Sequence, residues 1–203
     1  MKTLITIAVI IAIVACQQTR EQNKTKVPIS LATDDLSYFV YSWHFPTGQW
    51  EFSLDKYVNI DKHGRFRILM RDSLNKTTYF TGTVNDTIVK LIERTFRVDT
   101  FKTDYKNDSL EGIAYSGYTY CFDYKTADKE EKKKVRFIQS RSPEPLRILS
   151  QQLDNLNFIS GATQVDTLDI VSSIEEFKKF SAASLGEPPK VEKVKFKPVQ
   201  IKP

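Results

Sequence analysis

Apolar and polar residues alternate along several stretches between residues 37 and 139, which is the period of a strand with two different faces. The clearest stretch is 37–45, SYFVYSWHF, where aromatic residues occupy every second position. Turn-forming residues at 46–48, 61–64 and 75–76 separate it from the stretches that follow. The predicted strands are 37–45, 50–54, 57–60, 65–70, 77–84, 115–124 and 135–139. The pattern therefore predicts antiparallel strands joined largely by hairpins.

Three other stretches have the spacing of apolar positions that buries one side of a helix. They begin at Asn85, a capping residue, at Pro143, and at a capping box formed by residues 173–176. The inward positions are Ile88, Leu91, Ile92, Thr95 and Phe96 in the first, Leu146, Leu149, Leu153 and Leu156 in the second, and Ile174, Phe177 and Phe180 in the third. Strands followed by helices predict an α+β fold, with an antiparallel β-sheet and about three helices packed on one face.

The first sixteen residues, MKTLITIAVIIAIVAC, have a different pattern: Lys2 precedes an apolar run over 4–15. The run is too short to span a bilayer comfortably, and the basic start is typical of a secretory signal. Its end, Ile13-Val14-Ala15-Cys16, resembles the bacterial lipobox. That resemblance implies cleavage before Cys16 and lipid attachment to its sulfur. An uncleaved anchor helix and an ordinary signal peptide are the alternatives, although residues 12–14 do not supply an A-x-A-like cleavage site.

The sequence predicts four segments along the chain. We expect a signal peptide at 1–15, the lipidated cysteine and a polar tether at 16–33, one α+β domain at 34–185 and a Pro/Lys-rich tail at 186–203. Gln17 follows the cysteine. In Gram-negative lipoproteins Asp at this position often marks retention in the inner membrane, so by analogy Gln17 favours the outer membrane.

Charge and cysteine content narrow the class of protein. The chain has a formal net charge of +5 at pH 7, and the predicted signal peptide removes one lysine from that excess. Such a mild excess is not the signature of a nucleic-acid-binding protein. Only Cys121 remains once Cys16 carries lipid, so we expect no internal disulfide and a monomeric domain stabilised by its core.

Residues 38–157 resemble a family of small secreted and lipoprotein domains of unknown function, found mainly in Bacteroidetes-type bacteria. The matching pieces are the turn at 61–64, Gly82, the helix at 88–96, the Tyr-rich strand at 118–124 and the Leu-seamed helix at 146–156. Many members carry a Cys-x-x-x-Cys-Pro segment near the first turn, where this chain has Phe45-Pro46-Thr47-Gly48. The resemblance implies the same layout and supplies no catalytic residue.

Residues typical of reactive centres are few. His44 and His63 lie far apart, without a metal-binding spacing, and we expect a packed His44 and a surface His63. Cys121 has no basic neighbour in sequence that would lower its pKa, which favours a half-buried structural thiol over a nucleophile or an intermolecular disulfide. The acidic loop at 104–111 lacks the EF-hand pattern. We predict no catalytic residue, metal or cofactor.

Two kinds of surface site are predicted instead. Aromatic side chains of the strands are candidates for a surface on which a glycan or another ligand stacks, with core packing as the alternative for most of them. These residues are Trp43, Trp50, Tyr118 and Tyr120. Asp108-Ser109-Leu110 resembles the O-glycosylation acceptor of Bacteroidetes-type envelopes, which makes Ser109 a candidate for modification.

The sequence thus predicts a cell-envelope lipoprotein whose domain is a non-catalytic binding or accessory module. Its expected contacts are the membrane, through the lipid, and an envelope protein or a glycan. The alternative is a glycan-directed envelope hydrolase whose carboxylates lie far apart in sequence and meet at glycosidase spacing.

Overall fold

The computed structural model describes residues 33–44, 49–97, 100–105, 117–126, 132–159 and 161–183. In this part of the chain seven strands form one antiparallel sheet, in the order β6-β5-β1-β2-β3-β4-β7. The strands are β1 (Thr33–His44), β2 (Glu51–Asp61), β3 (Arg65–Arg71), β4 (Thr77–Thr83), β5 (Thr119–Thr126), β6 (Lys133–Phe137) and β7 (Thr163–Val165).

The described helices are α1 (Asp86–Phe96), α2 (Glu144–Asp154) and α3 (Val171–Ala182), with short 3-10 helices at Gln139–Arg141 and Leu156–Phe158. The predicted α+β class is therefore confirmed. Among the described residues, none of the helices combines the length and the apolar composition needed to cross a membrane.

Local turn and cap chemistry is confirmed at Gly64, Asn75 and Asn85. Gly64 has a φ of 72° and closes the β2–β3 hairpin by donating its N–H to the Asp61 carbonyl at 2.8 Å. Asn75 takes a φ of 61° in the turn between β3 and β4. Asn85 caps α1, because its side-chain oxygen accepts the backbone N–H of Ile88 at 3.0 Å.

Two local predictions are wrong. The two strands predicted at 50–54 and 57–60 are one strand, β2, which begins at Glu51 and whose pairing with β1 shifts register between Val40 and Tyr41. This bulge lets the strand continue where the alternation of residue types is interrupted. Helix α3 begins at Val171 after Ile170, without a side-chain cap, so the capping box at 173–176 lies inside the helix.

The helices lie on both faces of the sheet. Tyr38 and Phe39 are neighbours in β1, so their side chains point to opposite faces. On the Tyr38 side, Tyr38 donates a 3.0 Å hydrogen bond to Asp154 of α2. On the Phe39 side, the ring of Phe177 from α3 stacks at 3.7 Å between centroids. We call these the α1/α2 face and the α3 face.

Helix α1 belongs to the first of these faces, because Phe96 packs against Phe122 and Tyr124 with centroids 5.6 and 4.1 Å apart. The expectation that the helices share one face is therefore corrected. The physical reason is that both Tyr38 and Phe39 are aromatic and buried, so each face of β1 needs an apolar cover.

The core beneath α3 occupies only part of its face. Phe177 and Ile170 close over an apolar cluster contributed by four strands. Its strand members are Phe39, Tyr41, Leu54, Tyr57, Leu69 and Cys121. Beside this cluster, towards the end of the sheet where β1 begins, the α3 face becomes polar.

Candidate functional site

A row of polar side chains crosses the α3 face beside the apolar cluster. Ser37, Asn59 and Arg67 stand two positions along their strands from Phe39, Tyr57 and Leu69 of the apolar cluster, so they face the same way. In the register of the sheet the row is Lys134, Asp123, Ser37, Asn59, Arg67, Thr81 and Thr163. We call it the polar row.

The β5–β6 end of the polar row is internally neutralised. Lys134 Nζ lies 2.9 Å from Asp123 Oδ2, and both side chains are largely shielded from solvent. The same ammonium lies 5.1 Å from the centre of the Phe180 ring of α3. These contacts attach α3 to the sheet, so this end of the row has a structural role.

Asn59 is the centre of a hydrogen-bond network in the polar row. Its buried amide donates to Asp35 Oδ1 and, at 3.3 Å, to Ser37 Oγ. Its Oδ1 accepts from Arg67 Nη2 at 2.8 Å. Asp35 in turn accepts from Lys132 Nζ at 3.1 Å. Because the carboxylate obliges the amide nitrogen to face it, the oxygen must face Arg67, and the network orients the guanidinium.

Arg67 lies in a cleft of about 560 Å³ over the β3–β4 ladder. Three successive register pairs form it: Arg65 with Thr83, Phe66 with Gly82 and Arg67 with Thr81. Asp61 completes the lining. The arginines therefore stand on one side of this β3–β4 cleft and the threonine hydroxyls on the other.

Asp61 neutralises only one of the two arginines. Arg65 donates to Asp61 Oδ2 from Nε and Nη2, both at 2.7 Å. Burial alone would raise the pKa of Asp61, but hydrogen bonds from Arg65 and from the His63 backbone outweigh it and lower that pKa. Asp61 is thus held ionised. Within the described residues, the guanidinium of Arg67 has the neutral amide of Asn59 as its hydrogen-bond partner, so its charge remains uncompensated by a direct carboxylate contact.

Asp35 and Asp61 form the carboxylate pair that bears on the hydrolase alternative. They are register partners across β1 and β2. Directly opposed side chains stand about 5 Å apart at Cβ, which places the two carboxyl groups side by side, as the acid and second carboxylate of a glycosidase must be. Such an enzyme needs one carboxyl with a raised pKa as its acid. The lowered pKa of Asp61 is opposite to that requirement, and Asp35 is held by Asn59 and Lys132.

A second polar cluster is buried on the α1/α2 face. Lys56 is 7% exposed and donates from Nζ to the backbone carbonyl of Asp154 and, at 3.4 Å, to Asn157 Oδ1. Burial lowers the pKa of Lys56, partly offset by the Asp154 carboxylate. Burial likewise raises the pKa of Asp154, against the Tyr38 hydrogen bond and the Lys56 charge. Since Lys56 meets the unpaired carbonyl at the end of α2, this cluster anchors the helix.

The four predicted surface aromatics do not form one surface. Trp43 lies on the α3 face, with its ring 5.2 Å from Phe52 and packed against the apolar cluster. Tyr120 lies on the opposite face, 5.5 Å from Phe137. Tyr118 is 50% exposed just before β5, and Trp50 is half-buried just before β2. Strand pairing therefore places Trp43 and Tyr120 on opposite faces, so these two do not share one stacking surface, and a ligand surface at Trp50 or Tyr118 stays a prediction.

The cysteine and histidines also differ in part from expectation. Cys121 is fully buried beside Phe39, not half-buried, and burial raises the pKa of its thiol. A buried neutral thiol is a poor nucleophile and is inaccessible to a second chain. His63 is exposed as expected, whereas His44 is exposed instead of packed, 2.9 Å from Ser42 Oγ through Nε2. No group of metal-binding side chains occurs within the described part of the chain.

Sequence reasoning did not find the β3–β4 cleft. Arg65 and Arg67 alternate with Phe66 and Ile68, which is the ordinary pattern of a strand with one polar face. Only the register with β4 reveals that two threonines stand opposite the arginines. Cys16 and Ser109, with the signal peptide, most of the tether and the tail at 186–203, lie outside the described residues.

The site is interpreted from its geometry, because two comparisons with known proteins found no match. No protein-family model matches the chain, and no curated protein matches it in sequence.

Proposed function

We propose that this protein is a lipid-anchored envelope lipoprotein whose α+β domain is a non-catalytic binding or accessory module. The observation that carries the proposal is the N-terminal segment, in which Lys2 precedes an apolar run that ends in Ile13-Val14-Ala15-Cys16. Its length and basic start suit an exported chain better than a membrane span. The family resemblance of residues 38–157 to secreted and lipoprotein domains supports the same location, and Gln17 favours the outer membrane.

The geometry of the domain is compatible with such an anchor. Sixteen residues, 17–32, separate Cys16 from the first residue of β1. A chain of that length spans at most about 55 Å when fully extended. The domain would therefore remain close to the membrane surface and meet its ligand there.

The binding role is supported by the β3–β4 cleft, in which the Asn59 network holds Arg67 and Asp61 holds Arg65. Asp61 of the Asp35–Asp61 pair has a lowered pKa, opposite to that of a glycosidase acid, so this pair does not favour the hydrolase alternative. An envelope protein or a glycan remains the proposed class of partner.

The two cysteines provide a matched test of the anchor. Wild type, Cys16→Ala and Cys121→Ala would be expressed in a Gram-negative host with labelled palmitate, and the mature N-terminus determined by mass spectrometry. We expect wild type and Cys121→Ala to begin at Cys16, carry the label and fractionate with the outer membrane, and Cys16→Ala to lose the label. Label retained by Cys16→Ala, or a mature N-terminus at another residue, would contradict the anchor.

The accessory role is tested separately by crosslinking in intact cells, followed by mass spectrometry. We expect wild type to capture a consistent envelope protein or glycan that Cys16→Ala does not, because loss of the lipid moves the domain away from the membrane. Release of sugars from envelope glycans by purified wild type would instead establish the hydrolase alternative.

A further inference from the structure

The charge of the β3–β4 cleft is the starting point for a ligand assignment. Its charged lining residues are Asp61, Arg65 and Arg67. Asp61 is ionised and paired with Arg65, so the positive charge of Arg67 is the excess. A ligand that enters this space therefore meets a net positive site that favours an anion.

Arg67 is also positioned before any ligand arrives. Its Nη2 is tied at 2.8 Å to the buried amide of Asn59, which Asp35 and Ser37 hold in turn. A guanidinium has five N–H donors, so this bond leaves the others available. Binding would then not have to order a long side chain, which is a principal cost of association.

The remaining donors stand on two sides of the cleft. Thr81 and Thr83 face the arginines from the neighbouring strand, and paired strands lie about 4.8 Å apart. Within the described residues neither hydroxyl has a hydrogen-bond partner in the protein. A carboxylate presents two oxygens, which an arginine fork satisfies by itself. A phosphate group has additional oxygens that can accept from the opposite hydroxyls.

We propose that the β3–β4 cleft binds a phosphate group carried by a larger molecule, with Arg67 as its main ligand and Thr81 and Thr83 as secondary donors. The volume of about 560 Å³ exceeds what phosphate alone requires and lies in the range of small-molecule sites. The proposal gives the binding module a ligand class, and to that extent it rests on the proposed function.

Two sources of phosphate fit this chemistry. Arg65 and Thr83 lie at the end of the sheet where β1 begins, since Asp35 of β1 pairs with Asp61 at the mouth of the β2–β3 hairpin. In an anchored protein this is the end that the tether reaches, so phospholipid head groups are within reach. A phosphorylated glycan of the envelope is the other source.

The test uses the full-length Cys16→Ala chain, kept in detergent for titration and freed of detergent before it meets vesicles, so it does not depend on lipidation. Binding of inorganic phosphate, glycerol 3-phosphate and acetate would be measured by titration calorimetry. Binding to vesicles of phosphatidylglycerol and of phosphatidylcholine would be measured by co-sedimentation. The N-terminal apolar segment contributes to both vesicle types, so the readout is the difference between them.

The variants are Arg67→Gln, Thr81→Val and a control, Arg147→Gln, which removes an exposed arginine from α2. We expect Arg67→Gln to weaken phosphate binding about tenfold or more, Thr81→Val to weaken it severalfold and Arg147→Gln to leave it unchanged. Thr81→Val preserves side-chain shape, so it tests the site even if Arg67→Gln loosens the Asn59 network.

The outcomes distinguish the two sources of phosphate from each other, and they also test whether the β3–β4 cleft binds phosphate. Binding of both soluble phosphates that depends on Arg67 supports a free or glycan-borne phosphate. Preference for phosphatidylglycerol vesicles that depends on Arg67, without binding in solution, supports a lipid head group. Three results would overturn the proposal: no binding in either arm, equal weakening by Arg67→Gln and Arg147→Gln, or acetate binding as tight as that of phosphate. None of them alters the outcome of the palmitate-labelling test, so failure of this site and failure of the anchor are distinguishable.

Discussion

Single residues of this protein show how burial changes the behaviour of polar groups. Lys56 and Asp154 are separated by 98 positions in sequence, yet the lysine caps the helix that the aspartate ends. Burial acts on both, lowering the pKa of the ammonium and raising that of the carboxyl. A buried charged pair of this kind is costly to desolvate, and its role here is to hold α2 at one position on the sheet.

Asp154 should therefore make the free energy of unfolding depend on pH. Its raised pKa means that the native state binds a proton more readily than the unfolded state. This contribution is fully present below the unfolded pKa, near 3.9, and is lost as the pH rises through the folded pKa. We expect the free energy of unfolding of wild type, relative to Asp154→Asn, to increase as the pH is lowered from about 7 to about 4.

Urea denaturation at several pH values would measure this difference. Asp166→Asn is the control, because Asp166 is an exposed carboxylate and its removal tests the general effect of losing a negative charge. A difference that stays constant with pH, or one that grows towards neutral pH, would show that Asp154 is not held in the environment described.

At the scale of elements, helix α3 determines which part of the α3 face is apolar. It covers the apolar cluster through Phe177, whose ring is nearly parallel to that of Phe39 at 6°. It covers the β5–β6 end through Phe180, beneath the ammonium of Lys134. The polar row begins where this apolar cover ends.

Truncation of Phe177 should remove much of the energy that holds α3. We expect Phe177→Ala to lower the free energy of unfolding by about 3–5 kcal/mol, because it deletes a buried ring and leaves a cavity. Phe158→Ala is the matched control: Phe158 is 78% exposed, and its removal should change stability by less than about 0.5 kcal/mol. Equal effects of the two substitutions in urea denaturation would mean that α3 does not contribute to the core.

At the scale of the whole molecule, the strand order divides the sheet into a doubly paired centre and two unequal edges. β1 pairs with β2 over ten positions and with β5 over eight, whereas β7 is a three-residue edge strand paired with β4 alone. Backbone hydrogen bonds at a short edge open without disturbing the core. The sheet should therefore open from its β7 edge.

Native-state hydrogen exchange tests this order. We expect the amides of β1 that bond to β2 and β5 to exchange only through global unfolding, and those of β7 to exchange by local opening with a much smaller free energy. The amides of β2 that bond to β3 provide an internal comparison. Protection of β7 equal to that of β1 would show that residues 163–165 belong to the cooperative core.

Much of this protein could be predicted from the sequence because the signals are local. The turn at Gly64, the cap at Asn85 and the leucine seam of α2 each depend on residues a few positions apart. Alternation within β5 likewise assigns Tyr120 and Cys121 to different faces before any partner strand is known. The lipobox resemblance at Cys16 is local in the same way, and it stays a prediction because Cys16 lies outside the described residues.

Only the tertiary structure determined what packs against each face of the strands. Apolar residues on both sides of β1 do not specify which helix covers which side, and packing assigned α3 to the side of Phe39. Arg67 and Thr81 became neighbours because hydrogen bonds between backbones set the β3–β4 register, and Lys56 met Asp154 because α2 crosses the sheet at that point. Side chains distant in sequence are brought together by pairing and burial, which depend on the whole chain at once, so the β3–β4 cleft has no signature within any one segment.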